Sequence, residues 1–437
     1  MKRKKALAMI SLIGLLIIGG GITDVLATNG YFSLGYGTKS KGMGGAGVAL
    51  KEDAMVGANN PSAAVFVGNR LDAGATYFNP NRSYEYSGPS PFIATSAQES
   101  SSTTFFIPHV ANNMMLSDTQ ALNFAVFGNG GMNTDYDKPV FADQSGQATS
   151  TGVNLSQLFI SATYSIDLKP VALGISGILV YQQFAAEGLQ GFDNPLYSAS
   201  PGDVTNNGTD TSTGFGVRLG LMTEVAPGTN VGLYYQPRTD MSSFSKYQGL
   251  FAEKGDFDIP SSYALGVAWK SEGGLLLTMD YQKINYSEVA AIGNEGPNTS
   301  NITFFDPGTG PMPVPAAGSQ LGATNGYGFG WQDVSVIKLG ASYNLNDSWI
   351  LRGGFNKGDN PIPDTETFFN TLAPGVIEQH VTFGFTYNLS SNSEINFAYV
   401  KAMEGSVEGD IPAEFGGGTN TIKMDQNELE VSYGMKF

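Results

Sequence analysis

Beyond residue 70 the chain repeats one pattern, short segments in which apolar side chains take every second position. Tyr263, Leu265, Val267 and Trp269 fall on one face, with Ala264, Gly266, Ala268 and Lys270 on the other. Leu275, Leu277, Met279 and Tyr281 stand opposite Thr278, Asp280 and Gln282. Val381, Phe383, Phe385, Tyr387 and Leu389 oppose His380, Thr382, Gly384, Thr386 and Asn388. A period of two with one apolar face is the mark of a β-strand. Fourteen such segments are counted.

Alternation alone suits a soluble sandwich as well as a membrane barrel. The connections separate the two. Short links (112–119, 167–170, 225–228, 271–273, 346–348, 390–392) alternate with long ones (80–102, 129–152, 185–210, 248–260, 284–333, 358–377, 403–425). Tight turns at one end and long loops at the other, around an even strand number, describe a transmembrane barrel. A loop as long as 284–333 is foreign to a compact soluble domain. The Pro/Gly-rich stretch 306–317 within it reads as irregular. The predicted fold is all-β, a 14-stranded antiparallel transmembrane β-barrel whose apolar faces meet lipid. Tyr77, Tyr164, Tyr181, Tyr234, Tyr235, Trp269, Tyr281, Trp349 and Tyr399 are expected as interfacial girdles.

Composition agrees. Charged residues make up 14% of the 437, against 57 glycines, 20 tyrosines and 27 phenylalanines, a profile closer to a membrane barrel than to a cytoplasmic enzyme. The N-terminus sets the compartment. Lys2-Arg3-Lys4-Lys5, an apolar run from Ala6 to Gly21 and Val25-Leu26-Ala27 read as a secretory signal peptide, residues 1–27. Its removal takes four of 23 basic residues and one of 39 acidic ones, leaving −19. That balance argues against a nucleic-acid partner. With no cysteine, disulfides and Cys-based metal sites are excluded, and no metal or cofactor is expected.

The final segment ends in Phe437, with Leu429, Val431, Tyr433 and Met435 on its face and Glu428, Glu430, Ser432, Gly434 and Lys436 on the other. A terminal Phe on such a strand resembles the signal read by the outer-membrane insertion machinery, an expected partner beside outer-membrane lipid.

Between Asn29 and Ser62 the pattern breaks. Eight glycines crowd this stretch, which permits tight bends and close backbone contact but builds a poor continuous helix or strand. Residues 28–70 are expected to form a hatch, or plug, inside a barrel made by 71–437. Here a resemblance appears. NGYF at Asn29–Phe32, GMGGAGVAL from Gly42, Asp53, Asn60-Pro61-Ser62 and FNP at 78–80 resemble the start of the FadL-type outer-membrane transporters of long-chain fatty acids and other hydrophobic compounds. Ser62 stands where that family's Asn-Pro-Ala motif has alanine. The segment 328–356, IPD at 362–364 and Ala373-Pro374 extend the likeness over most of the mature chain.

The resemblance implies passive uptake of hydrophobic molecules, most directly long-chain fatty acids, across the outer membrane of a Gram-negative-type bacterium; aromatic hydrocarbons also fit. Substrate is caught in an apolar groove among extracellular loops, passed to a lumen pocket covered by the N-terminus, and released sideways where the third strand kinks. Tyr31 and Phe32 would cover the pocket. Gly128, Gly130 and Gly131, after a third strand at 120–127, would form the kink, since glycine lets a strand bulge. Asn60, Pro61 and Ser62 would hold the hatch in place. Leu250, Phe251 and Phe257 are expected in the groove. A fatty-acid carboxylate needs a cation or several hydrogen-bond donors, and alternation points Arg218 and Arg352 inward, with Lys270, Lys338 and Lys436 as further candidates. Pairing with interior acids such as Glu428, Glu430 or Asp280 is the competing use of those cations.

Two other function classes stay open at this point. A general porin would have a wet lumen, and a barrel lipase would need His380 beside a nucleophile. No Gly-x-Ser-x-Gly, phosphate-loop or His-Glu-x-x-His motif occurs, so no catalytic residue is assigned.

Overall fold

A computed structural model describes residues 29–437 apart from 144, 145, 299 and 309; the predicted signal peptide lies outside the described residues. Fourteen strands wind in chain order, each antiparallel to its neighbours. Strands one to seven are Arg70–Ser87, Phe105–Ser117, Gln120–Tyr136, Thr151–Asp167, Val171–Glu187, Asp210–Ala226 and Thr229–Gln236. Strands eight to fourteen are Ser262–Lys270, Leu275–Ile284, Val334–Asn344, Trp349–Gly358, Gln379–Ser390, Ser393–Asp410 and Thr419–Lys436. The last closes on the first from Arg70↔Lys436 to Ser87↔Thr419. Lipid offers no hydrogen bonds, so closure, which leaves no sheet edge at this seam, is what lets strands span.

The apolar faces point out. Tyr263, Leu265, Val267 and Trp269 are exposed while Ala264 and Ala268 are buried against the interior. Inward charges avoid the lipid, where one at mid-bilayer costs about 2–4 kcal/mol. Tyr234 is a correction to the expected girdles. It neighbours Tyr235 on one strand, so only one of the two can face out; Tyr234 is buried in the lumen and its hydroxyl accepts from Gln282 Nε2 at 2.8 Å.

Several strands outrun their apolar alternation. Strand two continues to Ser117, leaving two residues of turn before Gln120, and strands thirteen and fourteen reach Asp410 and Thr419, leaving only 411–418 as loop. Beyond the bilayer the outward face also meets water, as at Glu404 and Glu408, so side-chain polarity stops reporting the ladder although backbone pairing goes on. The stretch read as irregular contains a strand, Met312–Pro315, paired with Ile302–Phe305.

The segment from residue 29 to the start of strand one is largely buried and hydrogen-bonded to the strands. This segment carries two one-turn helices, Thr38–Lys41 and Val56–Asn59, and a 3-10 helix at Pro61–Phe66. Asn60 caps the last, accepting from Ser62 N at 3.1 Å and Ser62 Oγ at 2.8 Å, with Pro61 pre-set for the first helical position. The same side chain donates to the carbonyls of Val48 and Leu221, at 2.8 and 3.1 Å, tying hatch to wall. Asp280 accepts from the backbone of Gly47 and Val48 at 2.7 and 3.0 Å. Glycine on the inner wall permits this proximity: a Cβ at Gly354 would lie 2.1 Å from the backbone nitrogen of Gly44. Ion pairs add Lys39–Glu394 at 2.7 Å, Lys41–Glu428 at 3.0 Å, Lys41–Glu430 at 2.9 Å and Arg352–Glu52 at 3.3 Å. Such buried pairs add little net stability but are costly to break one-sidedly, which ties this segment to the wall in one register.

Candidate transport path

The ladder between strands two and three is incomplete. Pairing of strand three with strand two ends at Val110↔Val126. Above that point strand two continues to Phe105 on strand one, while strand three continues to Tyr136 on strand four. The register of strand three slips between Gly128 and Gly130, leaving Asn129 as a bulge. A bulge bends its strand, and from Phe127 to Thr134 every residue is buried, where below it the strand alternates. Glycine at 130 is required by what touches it: a Cβ there would lie 2.1 Å from the carbonyl oxygen of Tyr31.

The N-terminal turn sits on that bulge. Phe32 bridges Gly130, Ser33 N donates to the Asn129 carbonyl at 2.8 Å, and Gly131 N donates to the Tyr31 carbonyl at 3.1 Å. A single hydroxyl clasps the turn from the other side. Tyr286 Oη donates to the Asn29 carbonyl at 2.5 Å and accepts from the backbone of Tyr31 and Phe32, each at 3.2 Å.

Above the turn the lumen is aromatic. The Tyr31 ring centroid lies 5.1 Å from Tyr286, 6.0 Å from Trp331 and 6.1 Å from Phe257. Phe257 contacts Phe251 at 4.9 Å, and Phe251 contacts Phe184 at 4.6 Å. Phe251 and Leu250 in turn line an apolar cavity of about 30 Å³ among the loops, with Phe192, Leu321, Phe329 and Phe369. Ring contacts thus run without a break from the loop groove to the N-terminal turn. A buried amide ladder flanks them. Tyr36 Oη donates to Asn129 at 2.6 Å, Asn129 to Gln157 at 2.9 Å, Gln157 to Gln182 at 2.9 Å, and Gln182 to the Phe257 carbonyl at 2.8 Å.

The expected cations are placed inward but engaged. Arg218 holds Gln236 Oε1, at 2.7 Å from Nη2, and the Ala58 carbonyl. Arg352 holds Thr386 at 2.6 Å and Glu52 at 3.3 Å, and Lys338 donates to the Leu34 carbonyl at 2.7 Å. Lys270 and Lys436 are exposed at strand ends. His380 is buried, with Nδ1 3.2 Å from Asn356 Oδ1. The structure thus brings Tyr31, Phe32, Gly130 and Gly131 to one place, with Phe257 tilted against Tyr31 and Leu250 and Phe251 at the loop cavity. Asn60-Pro61-Ser62 lie apart, at the hatch foot. Tyr286, Trp331, Phe184 and the three ladder amides escaped sequence reading. Tyr286 and Trp331 fall in the long loop 285–333, where no periodicity marks a side chain's direction.

Two loop acids are perturbed. Burial, and then the neighbouring Asp258, raise Asp256 to about 7. Burial raises Glu366 to about 7, although it accepts from Gly296 N at 2.9 Å.

A closed fourteen-stranded antiparallel barrel whose apolar faces point outward defines the class of outer-membrane β-barrel proteins. The chain belongs to the outer membrane protein transport protein family (OMPP1/FadL/TodX), whose model matches residues 29–411. It is 24% identical over 356 residues to the long-chain fatty acid transport protein of Salmonella typhi, and 23% identical over 372 residues to that of Escherichia coli K12, covering 77% of this chain and 78% of each relative. Among solved structures it is similar to the Pseudomonas putida toluene transporter TodX, with TM-score 0.64 and 19% identity over 92% of this chain and 99% of that one. A Pseudomonas aeruginosa FadL homologue gives TM-score 0.65 and 13% identity over 93% of this chain and all of that one. The protein is an outer-membrane β-barrel of the Gram-negative envelope, in a family of transporters of hydrophobic compounds.

Proposed function

We propose that the protein is a passive channel for neutral hydrophobic molecules, caught in the loop groove at Leu250 and Phe251, handed along Phe257 to the turn at Tyr31 and Phe32, and released through the opening beside strand three. The observation that carries the neutral substrate is the state of the lumen cations. Lys39, Lys41, Arg70, Arg82, Arg218, Lys338 and Arg352 are the buried Lys and Arg among the described residues. Each already donates to a protein acceptor, and the groove is lined by apolar and aromatic side chains. A carboxylate entering this path would shed water without meeting a cation that is not already engaged by the protein.

Long-chain fatty acids, the expectation from sequence, are the second reading, favoured by the names of the relatives that are 23–24% identical. Uptake of methyl dodecanoate and of dodecanoate by cells with and without the protein separates the two. The expected result is faster entry of the ester alone; faster entry of both selects the second reading. The porin alternative calls for steady ion conductance in planar bilayers. A hatch that leaves cavities of about 20 Å³ against the wall is expected to hold conductance at background.

A further inference from the structure

The side opening has charged machinery behind it. A cavity of about 20 Å³ is lined by Ile107 and His109 on the strand-two edge, by Phe127 and Gly128 on the strand-three edge, and by Lys41 and Glu430 at its back. Lys41 Nζ lies 3.0 Å from Glu428 and 2.9 Å from Glu430. Glu430 also accepts from Thr76 Oγ1 at 2.6 Å and Thr38 Oγ1 at 2.8 Å. His109 Nδ1 stands 3.7 Å from Glu430, beyond hydrogen-bond reach. One cation therefore faces two carboxylates, and the second oxygen of Glu428, Oε1, is buried with no hydrogen-bond partner among the described residues. The adjoining set, Lys39 and Arg70 with Asp72 and Glu394, is balanced in itself and brings no positive surplus.

We propose that Lys41, Glu428 and Glu430 form an electrostatic filter at the side opening that disfavours carboxylates and admits uncharged molecules. This rests on the reading of that opening as the exit. An anion squeezing between Ile107 and Phe127 meets a net negative cluster in a water-poor setting, where like charges repel far more strongly than in bulk water. The single lysine cannot serve it, being held by two carboxylates already. A neutral molecule of the same length meets only the apolar edges. The cluster thus acts on specificity, and its readout is a ratio of substrates.

The test is uptake of dodecanoate relative to methyl dodecanoate by the full chain and by Glu428→Gln, with Glu430→Gln as the second variant. Heat-modifiable migration on gels reports that each barrel has folded. Loss of one carboxylate balances Lys41, and the acid-to-ester ratio is expected to rise on the order of tenfold. An unchanged ratio in folded variants overturns the filter while leaving the channel standing, as does wild-type protein that carries the acid as fast as the ester. Wild-type protein that carries neither overturns the transport reading itself.

Discussion

The hydroxyl of Tyr286 and the carbonyl of Asn29, 2.5 Å apart, join the longest loop to the first described residue of the chain. That oxygen also receives the N–H groups of Tyr31 and Phe32, so three hydrogen bonds on the N-terminal turn depend on one atom. Tyr286→Phe leaves the ring and removes the atom, stranding the buried Tyr31 N–H at about 1–3 kcal/mol and leaving the Phe32 N–H to its longer bond with the Asn29 carbonyl at 3.4 Å. Amide hydrogen exchange at Tyr31 and Phe32 is expected to speed up by roughly tenfold or more, since 1.4 kcal/mol is a factor of ten. Unchanged exchange would show that the turn is held by other contacts.

Gly130 supports the same turn from the wall. A side chain there collides with the Tyr31 carbonyl, so Gly130→Val is expected to lift the turn off the bulge. The Gly131 amide, which donates to that carbonyl, should lose protection, and ion conductance should rise above the wild-type background.

Asn60 makes four hydrogen bonds at the hatch foot, two to Ser62 and two across to Val48 and Leu221. Asn60→Ala costs the hatch about 2 kcal/mol, combining a lost cap with lost buried bonds. Limited trypsin cleavage at the partly exposed Lys51 is expected to accelerate, while cleavage in the barrel is unaltered.

Glu366 joins two of the long loops into a roof by accepting from Gly296 N at 2.9 Å, and its protonation is expected to stabilise that roof. Its carboxyl is raised from 4.5 to about 7 by burial, so the folded roof holds the proton more tightly than the unfolded loop. The stabilisation is therefore complete below about 4.5 and fades as pH rises through about 7. Asn370 connects this to a reporter. It donates to the Glu366 carbonyl at 2.7 Å and accepts from Trp331 Nε1 at 2.6 Å. Trp331 emission is expected to shift between pH 5 and 8 in the wild type and to flatten in Glu366→Gln.

Much of this architecture was legible in the chain because lipid enforces it. Strand eight could be assigned in and out as far as Trp269, since a side chain misplaced at mid-bilayer is heavily penalised, whereas Lys270 at its end is exposed. The register slip at Gly128–Gly130 was legible in the glycine content, and Leu250 and Phe251 do lie beside a cavity among the loops. Other features left no local trace. Arg218 and Arg352 were placed on the correct face, but their partners Gln236, Ala58 and Glu52 come from distant segments, so whether they were available to a carboxylate could not be read. Tyr286 and Trp331 owe their positions to contacts with the N-terminus across the lumen, a relation that no spacing encodes.

Sideways release through the opening at strand three is the claim on which the rest depends. The chain has no cysteine, so Ile107→Cys with Phe127→Cys places a unique pair on the two edges of that opening, which a bifunctional, reducible thiol crosslinker can span. Uptake of methyl dodecanoate by the crosslinked protein is expected to fall to the level of cells without it and to return on reduction. Uptake that continues undiminished in fully crosslinked protein would contradict a lateral exit and point to a route down the barrel axis.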